Sequence, residues 1–173
     1  LAAEAGIDLP APALVGTMAQ GTGLARHQSP PLDEIIHGML RFSTNITAEA
    51  AGMMATQRLS GQQRGLRTSA LGMTRWAKDR AGIAANFADH SGLGDTTRIT
   101  AADMVTLLNA DGVDEVLFPI LKNIPFRDDE KRVIKDHPAT VVAKTGTLNF
   151  VSSLAGYMTA PDGTDLAFAI FTA

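Results

Sequence analysis

From Thr140 to its last residue the chain reads TVVAKTGTLNFVSSLAGYMTAPDGTDLAFAIFTA, and there its hydrophobic period changes. Upstream, apolar residues recur at helical spacing; here they fall in short runs broken by turn residues. Thr140 to Ala143 reads as a buried strand, and SLAGYMTA and DLAFAIFTA flank Pro161-Asp162-Gly163-Thr164. Asp-Gly between two such runs is a hairpin signal, because these residues accept the tight backbone of the turn. The spacing predicts three strands, the last pair antiparallel. Such a sheet needs a cover for its apolar face, and the preceding residues supply helices.

SPPLDEIIHGMLRFSTN sets Pro30 and Pro31 before a helix with Leu32, Ile35, Ile36, Met39 and Leu40 on one side, ending near Phe42. ITAEAAGMMATQRL reads as a second helix, with Met53 and Met54 at apolar positions. LRTSALGMTRWAKDRAG reads as a third, with Leu71 and Trp76 turned inward and Gly82 stopping it. TAADMVTLLNA starts with Thr100 and has Asp103 three residues on, a capping arrangement, and places Met104 at a core position. VDEVLFPILKNIP continues the helical region, interrupted by Pro119 and closed by Pro125. The predicted class is α+β, a helical block followed by the edge of an antiparallel sheet. With 173 residues the chain can build one domain with a real core. LAAEAGIDLPAP reads as the tail of a helix, and AFAIFTA stops inside an apolar run, so both ends look cut.

Composition excludes several functions. A net charge of -3 gives no electrostatic case for nucleic acid. No apolar run reaches the ~18 residues of a transmembrane segment. With no cysteine there are no disulfides, thiolate metal sites or cysteine nucleophiles. His27, His37, His90 and His137 lack metal-ligand spacing, so neither metal nor cofactor is expected. RDDEKR reads as a solvated loop, and Asp136-His137 before Pro138 as turn chemistry.

Two short elements carry chemistry. Lys144 stands at the mouth of the Thr140–Ala143 run, followed by Thr145, Gly146 and Thr147. A lysine resists burial unless paired, so an ammonium beside two hydroxyls and an accessible backbone suits a small anion. The plainer reading is a lysine extending to water. Ser43-Thr44-Asn45 lies at a junction between two helices, where serine and asparagine also serve as helix caps.

In this order, Ser-x-Asn and Lys-Thr-Gly resemble the serine elements of penicillin-binding proteins and β-lactamases. The likeness is greatest to the D-alanyl-D-alanine carboxypeptidase/endopeptidase family, the class C low-molecular-mass penicillin-binding proteins, also called peptidase family S13. HQSPPLDEII, STNITAE, HSGLGDTTRIT, KTGTL and LAGYMT carry the resemblance, spanning roughly residues 24–173. It implies the C-terminal part of one transpeptidase-like domain over residues 1–173. The Ser-x-x-Lys element is missing: Lys78, Lys122, Lys131, Lys135 and Lys144 follow Arg75, Pro119, Asp128, Arg132 and Val141 at that offset. The family's nucleophile would lie in an N-terminal part absent from this chain.

The resemblance implies an acyl-enzyme peptidase acting on peptidoglycan stem peptides and inhibited by β-lactam antibiotics, in a periplasmic or extracytoplasmic location. It implies catalytic roles for Ser43, Asn45 and Lys144, and substrate binding by Thr145, Gly146 and Thr147. Ser43 would pass a proton to the leaving amine, and Asn45 would hold the acyl-side backbone. Lys144 with the two threonines would grip the terminal carboxylate, and the Thr147 N–H would form half the oxyanion hole. Ser43 and Lys144 are then expected to face one another across a groove, within reach of a hydrogen bond or one bridging water. The alternative is a catalytically incomplete module that binds peptidoglycan or β-lactams.

Overall fold

In a computed structural model of the chain, the structure describes residues 3–11, 16 and 25–172. The helical block consists of α1 (Leu32–Phe42), α2 (Asn45–Ser60), α3 (Leu66–Ala81), α4 (Ala101–Leu108) and α5 (Val113–Leu117). Four strands follow, β1 (Lys122–Asn123), β2 (Thr140–Leu148), β3 (Val151–Thr159) and β4 (Asp165–Thr172), in the order β1-β2-β3-β4 and antiparallel throughout. The α+β class stands. Where the tail of a helix was expected at the N-terminus there is one 3-10 turn, Ala3–Ala5. Leu1, Ala2 and Pro12 of that stretch, position 24, where the landmarks begin, and Ala173 of the last strand lie outside the described residues.

The sheet has one strand more than the sequence predicts. The expected helix through Pro125 gives way to a 3-10 turn at Phe118–Ile120, and Lys122 and Asn123 then pair with Ala143 and Val142. Pro119 lacks the N–H that would continue an α-helix. The chain therefore leaves α5 extended and runs beside β2.

Local rules account for most boundaries. Thr100 caps α4 by accepting from Asp103 N–H at 3.0 Å, and its hydroxyl lies 2.9 Å from Asp103 Oδ2. Gly82 ends α3 at φ +67°, in the left-handed region. The Asp162-Gly163 hairpin forms as expected: Gly163 takes φ +84°, and Asp162 Oδ1 accepts from Thr164 N–H at 3.0 Å.

The core lies between α4 and one face of the sheet. Leu108, Leu121 and Tyr157 form its buried centre, with Leu40, Met104, Phe118, Val142, Ala155 and Ala167 packed around them. Tyr157 is 3% exposed, and its hydroxyl donates to Leu108 O at 2.8 Å, tying β3 to the end of α4. Burial pushes the phenol up to about 12, with Asp114 adding to the shift.

Two expectations about the core fail. Leu71 and Trp76 are each 43% exposed, and Met54 is 68% exposed. The buried stripe of α3 is instead Ser69, Ala70 and Ala77. α2 and α3 approach so closely that a Cβ on Gly72 would lie 3.0 Å from Thr56 Cγ2, which leaves room for small residues only.

Candidate active site

α1 ends where its backbone turns left-handed. Ser43 is its C-cap at φ +55°, ψ +47°, with its N–H bonded to Met39 O. α2 begins two residues later at Asn45, capped by Thr44 without a side-chain hydrogen bond. Neither Ser43 nor Asn45 is therefore held as an N-cap by its side chain, so the plain capping reading does not account for this triplet. A left-handed backbone is uncommon for serine, and such outliers gather at functional sites.

Lys144 is not at a strand end. It is the fifth residue of the nine in β2, paired with Ala155 of β3. Its side chain crosses to α1 and places Nζ 2.5 Å from Ser43 Oγ and 2.5 Å from Thr145 O. Residues 101 positions apart thus meet at one point, the contact expected between Ser43 and Lys144. Among the described residues no carboxylate pairs with this ammonium. Partial burial holds its pKa below the ordinary lysine range, and the charge of Lys122 lowers it further.

Strand alternation divides the Lys-Thr-Gly element. Lys144 and Gly146 share the helix-covered face with Val142, whereas Thr145 and Thr147 stand on the other, both exposed. The ammonium and two hydroxyls therefore do not form one cluster, as the sequence suggested. They flank an edge. Ile124 N–H donates to Val141 O at 2.8 Å, so the odd-numbered residues of β2 turn their backbone groups toward β1. β1 stops opposite Ala143. The N–H and C=O groups of Thr145 and Thr147 consequently face an edge that no described strand covers, with Thr145 O bound by Lys144. Gly146 keeps this segment slim: an added Cβ there would overlap Ser153 Oγ.

Ser43, Lys144 and the strand edge are thus brought together, and Asn45 stands exposed two residues beyond Ser43. Sequence reasoning gave no part to Lys122, because its nearness to Lys144 follows from the two-residue strand β1. Nor did it assign a role to Glu49 or His90, although both lie in segments that carry the family likeness. Among the described residues no group of three or more His, Asp or Glu side chains could hold a metal ion, and no helix is long and apolar enough to cross a membrane.

Comparison with known proteins gives this geometry a family. The sequence profile of the D-Ala-D-Ala carboxypeptidase 3 (S13) family matches residues 2–173. A D-alanyl-D-alanine carboxypeptidase from Actinomadura sp. is 31% identical over 160 residues, 85% of this chain and 29% of that protein. The carboxypeptidase DacB of Mycolicibacterium smegmatis is 28% identical over 187 residues, 99% of this chain and 40% of that protein. The chain spans well under half the length of both curated relatives. Penicillin binding protein 4 (dacB) from Haemophilus influenzae, solved in complex with a β-lactam, superposes with a TM-score of 0.73 at 25% identity. That match covers 98% of this chain and 41% of that one. The fold is that of a penicillin-binding protein domain.

Proposed function

The chain belongs to the D-Ala-D-Ala carboxypeptidase 3 (S13) family, and we propose that it is the C-terminal portion of a serine DD-peptidase domain whose Ser-x-x-Lys element lies in the N-terminal portion. The whole protein cleaves the terminal D-alanine from peptidoglycan stem peptides through an acyl-enzyme, and β-lactams acylate the same serine. The work takes place outside the cytoplasm, where that substrate is found.

The observation that carries this reading is the Lys144–Ser43 contact beside a strand edge that no described strand covers. A peptide laid along that edge pairs with the backbone of Thr145 and Thr147, as an added strand does. Its terminal carboxylate meets the Lys144 ammonium from one face and the Thr145 hydroxyl from the other. The upstream serine gives its proton to the lysine of its own Ser-x-x-Lys element as it attacks the D-alanyl carbonyl, and the Thr147 N–H stabilises the oxyanion. As the C–N bond breaks, Ser43 gives its proton to the departing amine and takes in its place the one lost by the attacking serine, while Lys144 at 2.5 Å stabilises the negative charge that develops on its oxygen. The Asn45 amide holds the acyl-side backbone. Water then hydrolyses the ester and releases the shortened peptide.

Fluorescent penicillin tests this reading. The full-length protein is expected to label at one serine outside residues 1–173, and the 173-residue chain alone not at all. Stoichiometric labelling of a residue inside 1–173 would overturn the roles of Ser43, Asn45 and Lys144. Binding of stem peptide by a full-length protein that never acylates would favour the non-catalytic module.

A further inference from the structure

α2 presents Asn45 in its first turn and, one turn further on the same face, Glu49. The Glu49 carboxylate pairs with no cation among the described residues. It accepts instead from the backbone N–H of His90, at 3.2 and 3.3 Å, and of Ser91, at 3.0 Å. A carboxylate on backbone amides is a charge-assisted contact, stronger than a neutral one. It ties the loop at 88–94 to α2 one turn beyond Asn45.

Three other features grip the same loop. Asp89 Oδ1 accepts from Gly92 N–H at 2.7 Å, folding the loop on itself. The His90 ring lies against Gly52, where an added Cβ would overlap the imidazole. His90 Nε2 is 2.8 Å from Ser69 Oγ, a fully buried hydroxyl that donates to Thr56 Oγ1 at 2.9 Å. The loop is thus held by α2 and α3 together. Such a grip exceeds what a surface connection between helices needs.

The geometry points to Glu49 as a positioning residue for the Asn45 side of the cleft. By pinning the loop at 88–94 against α2 one turn beyond Asn45, it fixes the helix end from which that amide meets the substrate. This rests on the role proposed for Asn45. Glu49 lies on the acyl-side grip rather than at the Ser43–Lys144 proton relay, so its loss acts on binding more than on the chemical step.

The test uses the full-length protein and three variants, Glu49→Ala, Glu49→Gln and Gly52→Ala. Amide hydrogen exchange reads the loop without reference to activity, and steady-state kinetics on a D-Ala-D-Ala-terminated peptide read the site. Glu49→Ala should lose protection at His90 and Ser91, and raise KM about tenfold with kcat within about twofold. Glu49→Gln keeps one acceptor oxygen and should recover most of the loss in KM. Gly52→Ala strengthens the helix but displaces the His90 ring, so it should raise KM with Glu49 intact. Wild-type KM in Glu49→Ala overturns the inference, as does a fall in kcat that tracks the folded fraction measured by thermal melt. If Glu49→Ala does not accumulate as folded protein, wild-type KM in both other variants overturns it. Lys144→Ala run in parallel separates the two readings. Its full activity would sink the proposed function, whereas an inactive Lys144→Ala beside an unaffected Glu49→Ala sinks only the inference about Glu49.

Discussion

Lys144 Nζ lies 2.5 Å from Ser43 Oγ, joining the middle of a central strand to the left-handed end of a helix. The contact gives the ammonium two tasks, holding a carboxylate and stabilising the serine oxygen. Lys144→Ala in the full-length protein should therefore slow acylation by both peptide and penicillin. A charge-assisted hydrogen bond contributes on the order of 1.5–3 kcal/mol, so the expected loss is about ten- to a hundred-fold. Lys135 is exposed, and Lys135→Ala is the matched control, expected to change the second-order acylation rate little. Equal losses at both positions would indicate a general field effect instead.

The depressed pKa of Lys144 gives a pH dependence of definite sign. Burial, and after it Lys122, disfavours the charged form in the folded protein. Between the folded and unfolded pKa values of this lysine the unfolded chain holds the proton more tightly, so the stability that this residue contributes rises with pH. Below that window the penalty is fully present. Acylation runs the other way, because the grip needs the ammonium. Its alkaline limb should fall at a pH below that of an ordinary lysine, and Lys122→Ala should move the limb upward. Rate profiles of penicillin acylation across the alkaline range measure both effects, and an unmoved limb would exclude Lys122 as a cause.

Two glycines on neighbouring strands should fail in different ways. A Cβ on Gly156 would overlap the backbone of Val142 and Ala143, which cannot step aside. Gly156→Ala is expected to cost about 1–3 kcal/mol of stability, read as a lower melting temperature. A Cβ on Gly146 meets only the Ser153 side chain, whose hydroxyl can rotate. Gly146→Ala should melt near the wild-type temperature yet acylate more slowly, because the methyl group thickens the segment beside the substrate.

Tyr157→Phe isolates one tie in the core. It removes the hydrogen bond to Leu108 O and keeps the ring against Phe118, whose centroid is 5.6 Å away. The expected cost is about 1 kcal/mol in a thermal or denaturant melt. Acylation of the folded variant by penicillin should be unchanged, since Tyr157 lies apart from the strand edge.

Features built from neighbouring residues were legible in the sequence. The Asp162-Gly163 hairpin, the Thr100 cap and the stop at Gly82 each depend on a few adjacent side chains. β1 was not legible, because two residues become a strand only when β2 is there to pair with them. Trp76 misled for a related reason: a large apolar residue invites burial, but the close approach of α2 and α3 reserves their interface for alanine, serine and glycine. The order of Ser43, Asn45 and Lys144 pointed to a shared site. Their types alone could not show that alternation sends Thr145 and Thr147 to the opposite face from Lys144, since that follows from unbroken pairing along β2 and β3.

The left-handed backbone of Ser43 constrains how this protein can be improved or can drift. By conformational energy alone, that position favours glycine or asparagine over serine. A library screened only for heat resistance should therefore enrich glycine at 43, and its most robust members would lack the hydroxyl that Lys144 contacts. Serine should persist there only under a screen that also demands turnover, which makes the identity of this one residue a record of what the lineage was required to do.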